Sequence, residues 1–165
     1  MNFSHDFPFP KPREQQVDAI SAGIETLLKS DKRFFVLEAG TGVGKSAIGL
    51  TIASYVSTHM NSSEDFNPGA YYLTTQKILQ QQYVDDFGKT NHRMRDLKSS
   101  SNYTCSFHGN VSCGESLRAL KVAKKNSDFF HHCVRNCVYK KAKQSFIEGR
   151  HGITNFSYFL AETQY

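Results

Sequence analysis

The chain has 165 residues and a mass of 18.7 kDa, room for one domain or slightly more. Hydrophobic residues make up 39% and charged residues 21%, with 13 Phe and 8 Tyr, which is enough apolar material for a core and argues against a disordered chain. No apolar run approaches the roughly 18 residues of a membrane span. The start, Met1-Asn2-Phe3-Ser4-His5-Asp6, lacks a basic region followed by an apolar stretch. These features point to an intracellular, cytoplasmic and reducing location, with no membrane partner. There, the four cysteines read as metal ligands rather than disulfides.

The net charge of +5 conceals an asymmetry. Residues 1–89 carry 8 Lys/Arg and 10 Asp/Glu, whereas residues 90–150 carry 12 Lys/Arg and 4 Asp/Glu together with all four cysteines. The spacing of composition predicts three stretches: a nucleotide-binding segment over 1–89, a basic four-cysteine module over 90–150, and a return to the first core over 151–165. A basic module suits a polyanionic partner, nucleic acid first. A solvated lysine-rich helix face explains the same charge, and on charge alone both readings stand.

In chain order, Phe7-Pro8-Phe9-Pro10-Lys11-Pro12 is an extended lead-in, because each proline keeps its predecessor out of the helical region. A helix starts near Arg13, with Val17, Ile20, Ile24, Leu27 and Leu28 in one apolar stripe, and stops at Ser30-Asp31-Lys32. Phe34-Phe35-Val36-Leu37 is a short apolar run, the pattern of a strand buried on both faces. A glycine-rich loop, Ala39 to Gly44, precedes a second helix from Lys45 with Ile48, Ile52, Tyr55 and Val56 inward. After the turn Asn67-Pro68-Gly69, Ala70 to Thr74 reads as a strand and the following segment, through Phe87, as a helix. Ser99-Ser100-Ser101-Asn102 is a polar joint. Glu115–Lys125 and Cys137–Glu148 read as helices, and Ile153 to Leu160 as an apolar return. The alternation of helix and strand describes an α/β fold with a parallel sheet.

Ala39-Gly40-Thr41-Gly42-Val43-Gly44-Lys45-Ser46 matches the phosphate-loop pattern with Ala in the first position. Small residues let successive backbone N–H groups turn inward as an anion nest, and the next helix points its positive end at the phosphates. Lys45 supplies a mobile charge for the β- and γ-phosphates, and Ser46 a hydroxyl for Mg²⁺, so ATP and Mg²⁺ are the expected ligands. Hydrolysis also needs a carboxylate at the end of another strand. The adjacent acid pairs, Glu64-Asp65 and Asp85-Asp86, follow no apolar strand.

Cys105, Cys113, Cys133 and Cys137 lack the paired spacing of zinc ribbons. A 4Fe–4S cluster tolerates more irregular spacing. Zinc and unliganded thiols remain alternatives on spacing alone, with His108, His131 and His132 as competing ligands. The neighbouring lysines and arginines favour thiolates. Tyr103, Phe107, Phe129, Phe130 and Tyr139 read first as the small core of this module, and second as platforms for unpaired bases.

Taken together these motifs resemble the N-terminal part of the iron–sulfur DNA helicases of superfamily 2, the XPD/DinG group. Pro12-Arg13-Glu14-Gln15-Gln16 is similar to the adenine-reading glutamine motif, with Gln16 as the reader and Gln15 second. Glu38 to Ser46 is similar to helicase motif I. Thr74-Thr75-Gln76-Lys77-Ile78-Leu79-Gln80-Gln81-Gln82 has the shape of motif Ia, in which Thr75 and Gln82 touch the bound strand. Cys137-Val138-Tyr139-Lys140-Lys141-Ala142-Lys143 and the later Ile153-Thr154-Asn155-Phe156 resemble the end of the cluster module and its return strand. The resemblance implies a partial RecA-like P-loop domain plus a small, mostly helical iron–sulfur module. It implies ATP, Mg²⁺ and a 4Fe–4S cluster on Cys105, Cys113, Cys133 and Cys137, with zinc second. It also implies single-stranded or forked DNA as partner, and contact with the nucleotide through Gln16, Gly40, Thr41, Gly42, Val43, Gly44, Lys45 and Ser46.

No Asp-Glu-Ala-His box or second motor domain follows within the 165 residues. The expectation is therefore a nucleotide- and DNA-binding portion that is inactive alone, with the C-terminal helicase half a candidate partner as a separate chain. Two other readings use the same residues: a non-catalytic nucleic-acid-binding module, and a P-loop nucleoside kinase with a structural zinc.

Overall fold

The computed structural model describes residues 1–61, 63, 68–89 and 94–163. The Glu64-Asp65 pair, Asn67 of the expected turn and the start of the basic stretch at position 90 lie outside the described residues.

Helix α1, Glu14–Lys29, begins where Arg13 leaves the extended lead-in, and its N-terminus is closed by Gln16 Oε1 accepting the Arg13 N–H at 2.9 Å. Helix α2, Lys45–His59, springs from the phosphate loop. Ile20 and Ile24 of α1 meet Ala47, Ile48 and Ile52 of α2 in one core that Phe3 and Phe7 of the lead-in close. Burying each such isoleucine contributes about 1.5–3 kcal/mol. Gly23 permits this approach, since a Cβ there would lie 2.5 Å from the Ile52 side chain.

Strand β1, Ala70–Thr74, leads into helix α3, Lys77–Phe87. Strand β2, Arg95–Leu97, and a short 3₁₀ turn, Ser100–Asn102, follow. The cysteine-bearing part then forms α4, Cys113–Leu120; α5, Asp128–Arg135; and α6, Val138–Glu148. Strand β3, His151–Asn155, and helix α7, Phe156–Thr163, end the described chain. The sheet is parallel in the order β1-β3-β2, with Tyr72 opposite Ile153 and Asp96 opposite Ile153 on the other side. The last strand in sequence is thus the central one, and His151 to Thr154 are all buried. Ile153 packs with Leu50, Phe87 and Met94, so α2 is covered by α1 on one side and the sheet on the other. On the opposite sheet face Phe146 of α6 stacks on Tyr71, ring centroids 5.3 Å apart, over Gly152, where a Cβ would lie 2.6 Å from the ring.

Four expectations change. Phe34–Leu37 forms no strand. Phe35 and Leu37 face the α1–α2 core, but Phe34 and Val36 are 83% and 89% exposed, and Arg33–Leu37 make no backbone hydrogen bond among the described residues. The side-chain alternation suits a strand; a hydrogen-bonded neighbour is what it lacks. The return over Ile153–Leu160 is half strand and half helix, because Asn155 Oδ1 accepts the Ser157 N–H and starts α7. The helix expected to reach Lys125 stops at Leu120. Strand β2 and helix α5 carry no apolar run long enough to announce them.

Candidate functional site

The phosphate loop is built by local backbone geometry. Gly42 and Gly44 have φ of 79° and 83°, the left-handed region that only glycine enters freely. Gly44 is also the residue on which α2 begins, so the loop N–H groups and the helix's positive end face one spot. Lys45 Nζ donates to the carbonyls of Ala39 at 2.8 Å and Gly40 at 2.7 Å, which curls the ammonium over the loop. Ser46 lies half-buried in the first turn of α2, and Thr41 is exposed. Gly40 keeps an ordinary φ.

Gln16 is 6% exposed, and both ends of its amide are engaged. Nε2 donates to Val43 O at 2.9 Å while Oε1 holds the Arg13 N–H; the Arg13 guanidinium reaches Gly42 O at 3.4 Å. Gln16 therefore ties α1 to the loop, whereas Gln15 is exposed. A hollow of about 650 Å³ opens beside the loop, bordered by Phe35, Leu37, Lys45, Ile48, Ala70 and Tyr71. No ion pair joins a carboxylate to Lys45 among the described residues. Asp85 and Asp86 sit in the last turns of α3, where Asp85 accepts from Gln81 Nε2 at 3.0 Å.

Thr75 and Gln82 are both exposed. Thr75 follows β1, and its carbonyl accepts from Asn155 Nδ2 at 3.1 Å, joining the carboxyl ends of two neighbouring strands. The residue that sequence reasoning missed is Gln80. It is fully buried, and Nε2 donates to Leu97 O at 3.0 Å and Ile153 O at 3.4 Å, pinning β2 and β3 to α3. Its Oε1 is the buried side-chain atom with no hydrogen-bond partner among the described residues. The signal was helical phase: Gln80 falls on the inward stripe of Tyr83, Val84 and Phe87. Above it lies a smaller hollow of about 280 Å³, lined by Lys77, Lys98, Ser99, Asn155, Ser157 and Tyr158.

The four cysteines are free thiols, 2–6% exposed. A tight turn after Cys105 closes through the Gly109 N–H, and a single antiparallel bridge, Thr104 to Ser112, brings the chain back. Ser112 then caps α4 with Glu115, Ser127 caps α5, and Cys137 is the residue preceding α6. Cys105, Cys113 and Cys137 share one core with Leu97, Tyr139 and Phe146. Cys133 lies within electrostatic reach of all three. Burial pushes the Cys113 and Cys133 thiols up. Burial acts the same way on Cys105, but hydrogen bonds from Ser116 and from the His108 and Phe107 backbone outweigh it and bring that thiol down to about 7.

A single zinc ion needs its sulfurs about 2.3 Å from one point. Among the described residues no group of three or more His, Cys, Asp or Glu converges in that way. Of the competing histidines, His108 Nδ1 stands 3.9 Å from Cys105 Sγ, while His132 Nε2 bonds Ser106 Oγ at 2.8 Å and His131 is exposed. The donor set is thus four buried thiols with hydrogen-bond support at Cys105, and the described residues show no metal-holding group, so the expected iron–sulfur module is not seen in the geometry. Among the described residues no helix is long and apolar enough to cross a membrane.

The family model for the type III restriction enzyme res subunit matches residues 9–127, well over half the chain. The match runs from the lead-in through the loop, β1 and α3 to Cys105 and Cys113, and stops before Cys133 and Cys137. It supports superfamily 2 without singling out the XPD/DinG iron–sulfur group. No curated protein and no solved structure matches the chain. A glycine-built loop at a helix start, tied to a glutamine on the preceding helix, agrees with that match: the chain belongs to the type III restriction enzyme res-subunit family, whose helicase-like N-terminal domain is of superfamily 2.

Proposed function

We propose that this chain is the ATP- and single-strand-binding portion of a DNA helicase motor whose cysteine lobe holds a 4Fe–4S cluster. The observation that carries the nucleotide reading is the phosphate loop: two left-handed glycines, a helix start, and Lys45 poised over the loop carbonyls. With ATP bound, the Lys45 ammonium, now on the Ala39 and Gly40 carbonyls, would hold the β- and γ-phosphates, and the Ser46 hydroxyl would supply an oxygen ligand to Mg²⁺. Gln16, already fastened to the loop at Val43, sits where it can transmit base contact to the phosphates.

Hydrolysis requires a carboxylate that this loop does not receive from the described residues. A further strand, from the remainder of a motor or from a separate subunit, fits the hollow between Phe34–Leu37 and β1. Arg33–Leu37 make no backbone hydrogen bond there among the described residues, and a carboxylate on that strand complements Lys45. The cluster reading is supported by four buried thiols in mutual reach and by the wider spacing a cubane accepts over a single ion. When bound, such a cluster supplies a rigid cross-link among α4, α5 and α6; Cys113 and Cys137 would hold it from two helix starts. Thr75, Gln82 and the basic lobe supply contacts to the strand.

The test is titration of the anaerobically purified chain with a fluorescent ATP analogue and Mg²⁺, alongside iron and sulfide analysis. Micromolar-range binding that Lys45→Ala weakens at least 10-fold is expected, with about four iron and four sulfide per chain. Binding indifferent to Lys45→Ala overturns the nucleotide reading. Stoichiometric zinc without sulfide overturns the cluster and restores a single-ion site.

A further inference from the structure

The cysteine lobe also carries a surface of packed rings beside the Cys105 thiol. Four rings pack together between the turn after Cys105 and helix α5. The Phe107 centroid lies 5.0 Å from His108, 5.4 Å from Phe129 and 5.3 Å from His132, and His108 lies 4.7 Å from Phe129. This is not the core of the lobe. That core is Leu97, Tyr139 and Phe146 around three cysteines, with Tyr103 and Leu117 packed against it. Phe107 by contrast is 43% exposed and His108 is exposed as well.

An exposed ring braced by three others is a rigid plate. Ser106, next to Phe107, fixes the plate to α5, its hydroxyl meeting His132 Nε2 at 2.8 Å and Asn136 O at 3.4 Å. The surroundings are cationic. Lys141 Nζ reaches Asn136 Oδ1 at 3.4 Å, Lys140 acts electrostatically on Cys133 of α5, and Arg135 closes α5. Of the lobe's acids, Asp96 pairs with Lys98 and Glu148 lies on α6 beside Gln144; Asp128, in the first turn of α5, and Glu115, which caps α4 next to the Ser116 that meets His108, are the carboxylates on the plate's own elements.

An aromatic plate with cations on the adjoining turn from α5 to α6 fits a ligand with flat faces linked by anions. We infer that Phe107, backed by His108, Phe129 and His132, stacks an unpaired nucleobase while the adjoining lysines and Arg135 hold the flanking phosphates. The inference rests on the nucleic-acid reading above and deepens it by placing a base-contact site on the lobe. Duplex DNA, whose base faces are covered, has no use for the plate.

The experiment compares two fluorescein-labelled probes of equal length and charge, a 15-nucleotide oligothymidine and its abasic counterpart, by anisotropy over a salt series. The full chain and its Phe107→Ala and Phe107→Tyr variants are tested. The chain is expected to prefer the base-bearing probe by roughly 5- to 150-fold, the range of stacking one base. Phe107→Ala erases that preference without changing the slope against salt, because phosphate contacts set the slope. Phe107→Tyr keeps it. Equal binding of both probes by the unaltered chain, with a steep salt slope, overturns the stacking site and leaves the nucleic-acid reading standing. Binding of neither probe overturns both. The unaltered chain decides this alone, so the result stands even where a variant folds poorly.

Discussion

The phosphate loop and the cysteine lobe solve the problem of building a site in opposite ways. The loop is eight consecutive residues, and its shape follows from two glycine dihedrals and a helix start. The lobe's cysteines, Cys105 to Cys137, are brought into one region only after a turn and three helices have docked. The lesson concerns robustness. A contiguous site survives distant changes that leave its backbone alone, whereas a dispersed one fails when any contributor moves.

The largest effect expected from that contrast is on the lobe. Cys113→Ser, in a position 2% exposed, should destabilise the lobe by about 1–3 kcal/mol, the cost of upsetting a buried polar group, and on the proposed cluster it should also abolish iron and sulfide retention. Affinity for an ATP analogue should stay within about twofold. Metal analysis, thermal melts and ATP titration check this, and simultaneous loss of ATP binding breaks the comparison by showing one cooperative unit. Next comes Gly44→Ala. Its φ of 83° and a Cβ only 2.5 Å from Gln16 Nε2 predict a loss of about 1–3 kcal/mol and of ATP affinity, with the lobe's metal content unchanged. Gly49→Ala in the same helix meets open space and should stabilise by about 0.5–1 kcal/mol.

Gln16→Ala should cost about 1–2 kcal/mol, because the Val43 carbonyl and the Arg13 N–H both lose a partner. A fall in ATP affinity beyond that seen for destabilising changes elsewhere in α1 sharpens the case for a base-reading role. The smallest effect is at the contact between lobe and sheet region, where Lys143 of α6 pairs with Glu162 of α7. The hydrogen bond from Lys143 holds the Glu162 carboxyl below its ordinary value. That contribution is present above the usual glutamate pKa of about 4.3 and is lost as pH falls through the lowered value. Both side chains are more than a third exposed, so Glu162→Gln should cost under about 1 kcal/mol at neutral pH. It should flatten the acid limb of a urea-denaturation series against pH.

Much of the nucleotide site was legible because its signals are local. Lys45, Ser46, Gly42 and Gly44 stand in register along the chain, and α1 and α2 announced themselves by apolar stripes. Gln16 was singled out by its place in a motif; its role as a fastening between α1 and Val43 became visible only in three dimensions. Gln80 hid in a run of three glutamines, and Gln82, the motif's choice, lies exposed beside it. Phe107 was grouped with core aromatics by residue type, since type alone does not separate it from Tyr103 and Tyr139, which do pack inside.

By itself the sequence determined the glycine loop, the helices that flank it and the cationic character of the cysteine lobe. Each depends on dihedral preference, on hydrogen bonds four residues apart, or on charge, all of which neighbours in the chain decide. Tertiary structure decided that β3 lies between β1 and β2, that Phe34–Leu37 has no strand partner among the described residues, and that Cys105, Cys113 and Cys137 share one interior. A strand is completed by bonds to residues far along the chain, as Tyr72 is by Ile153 of β3. The gathering of sulfurs likewise waits on the docking of helices whose order no local pattern records.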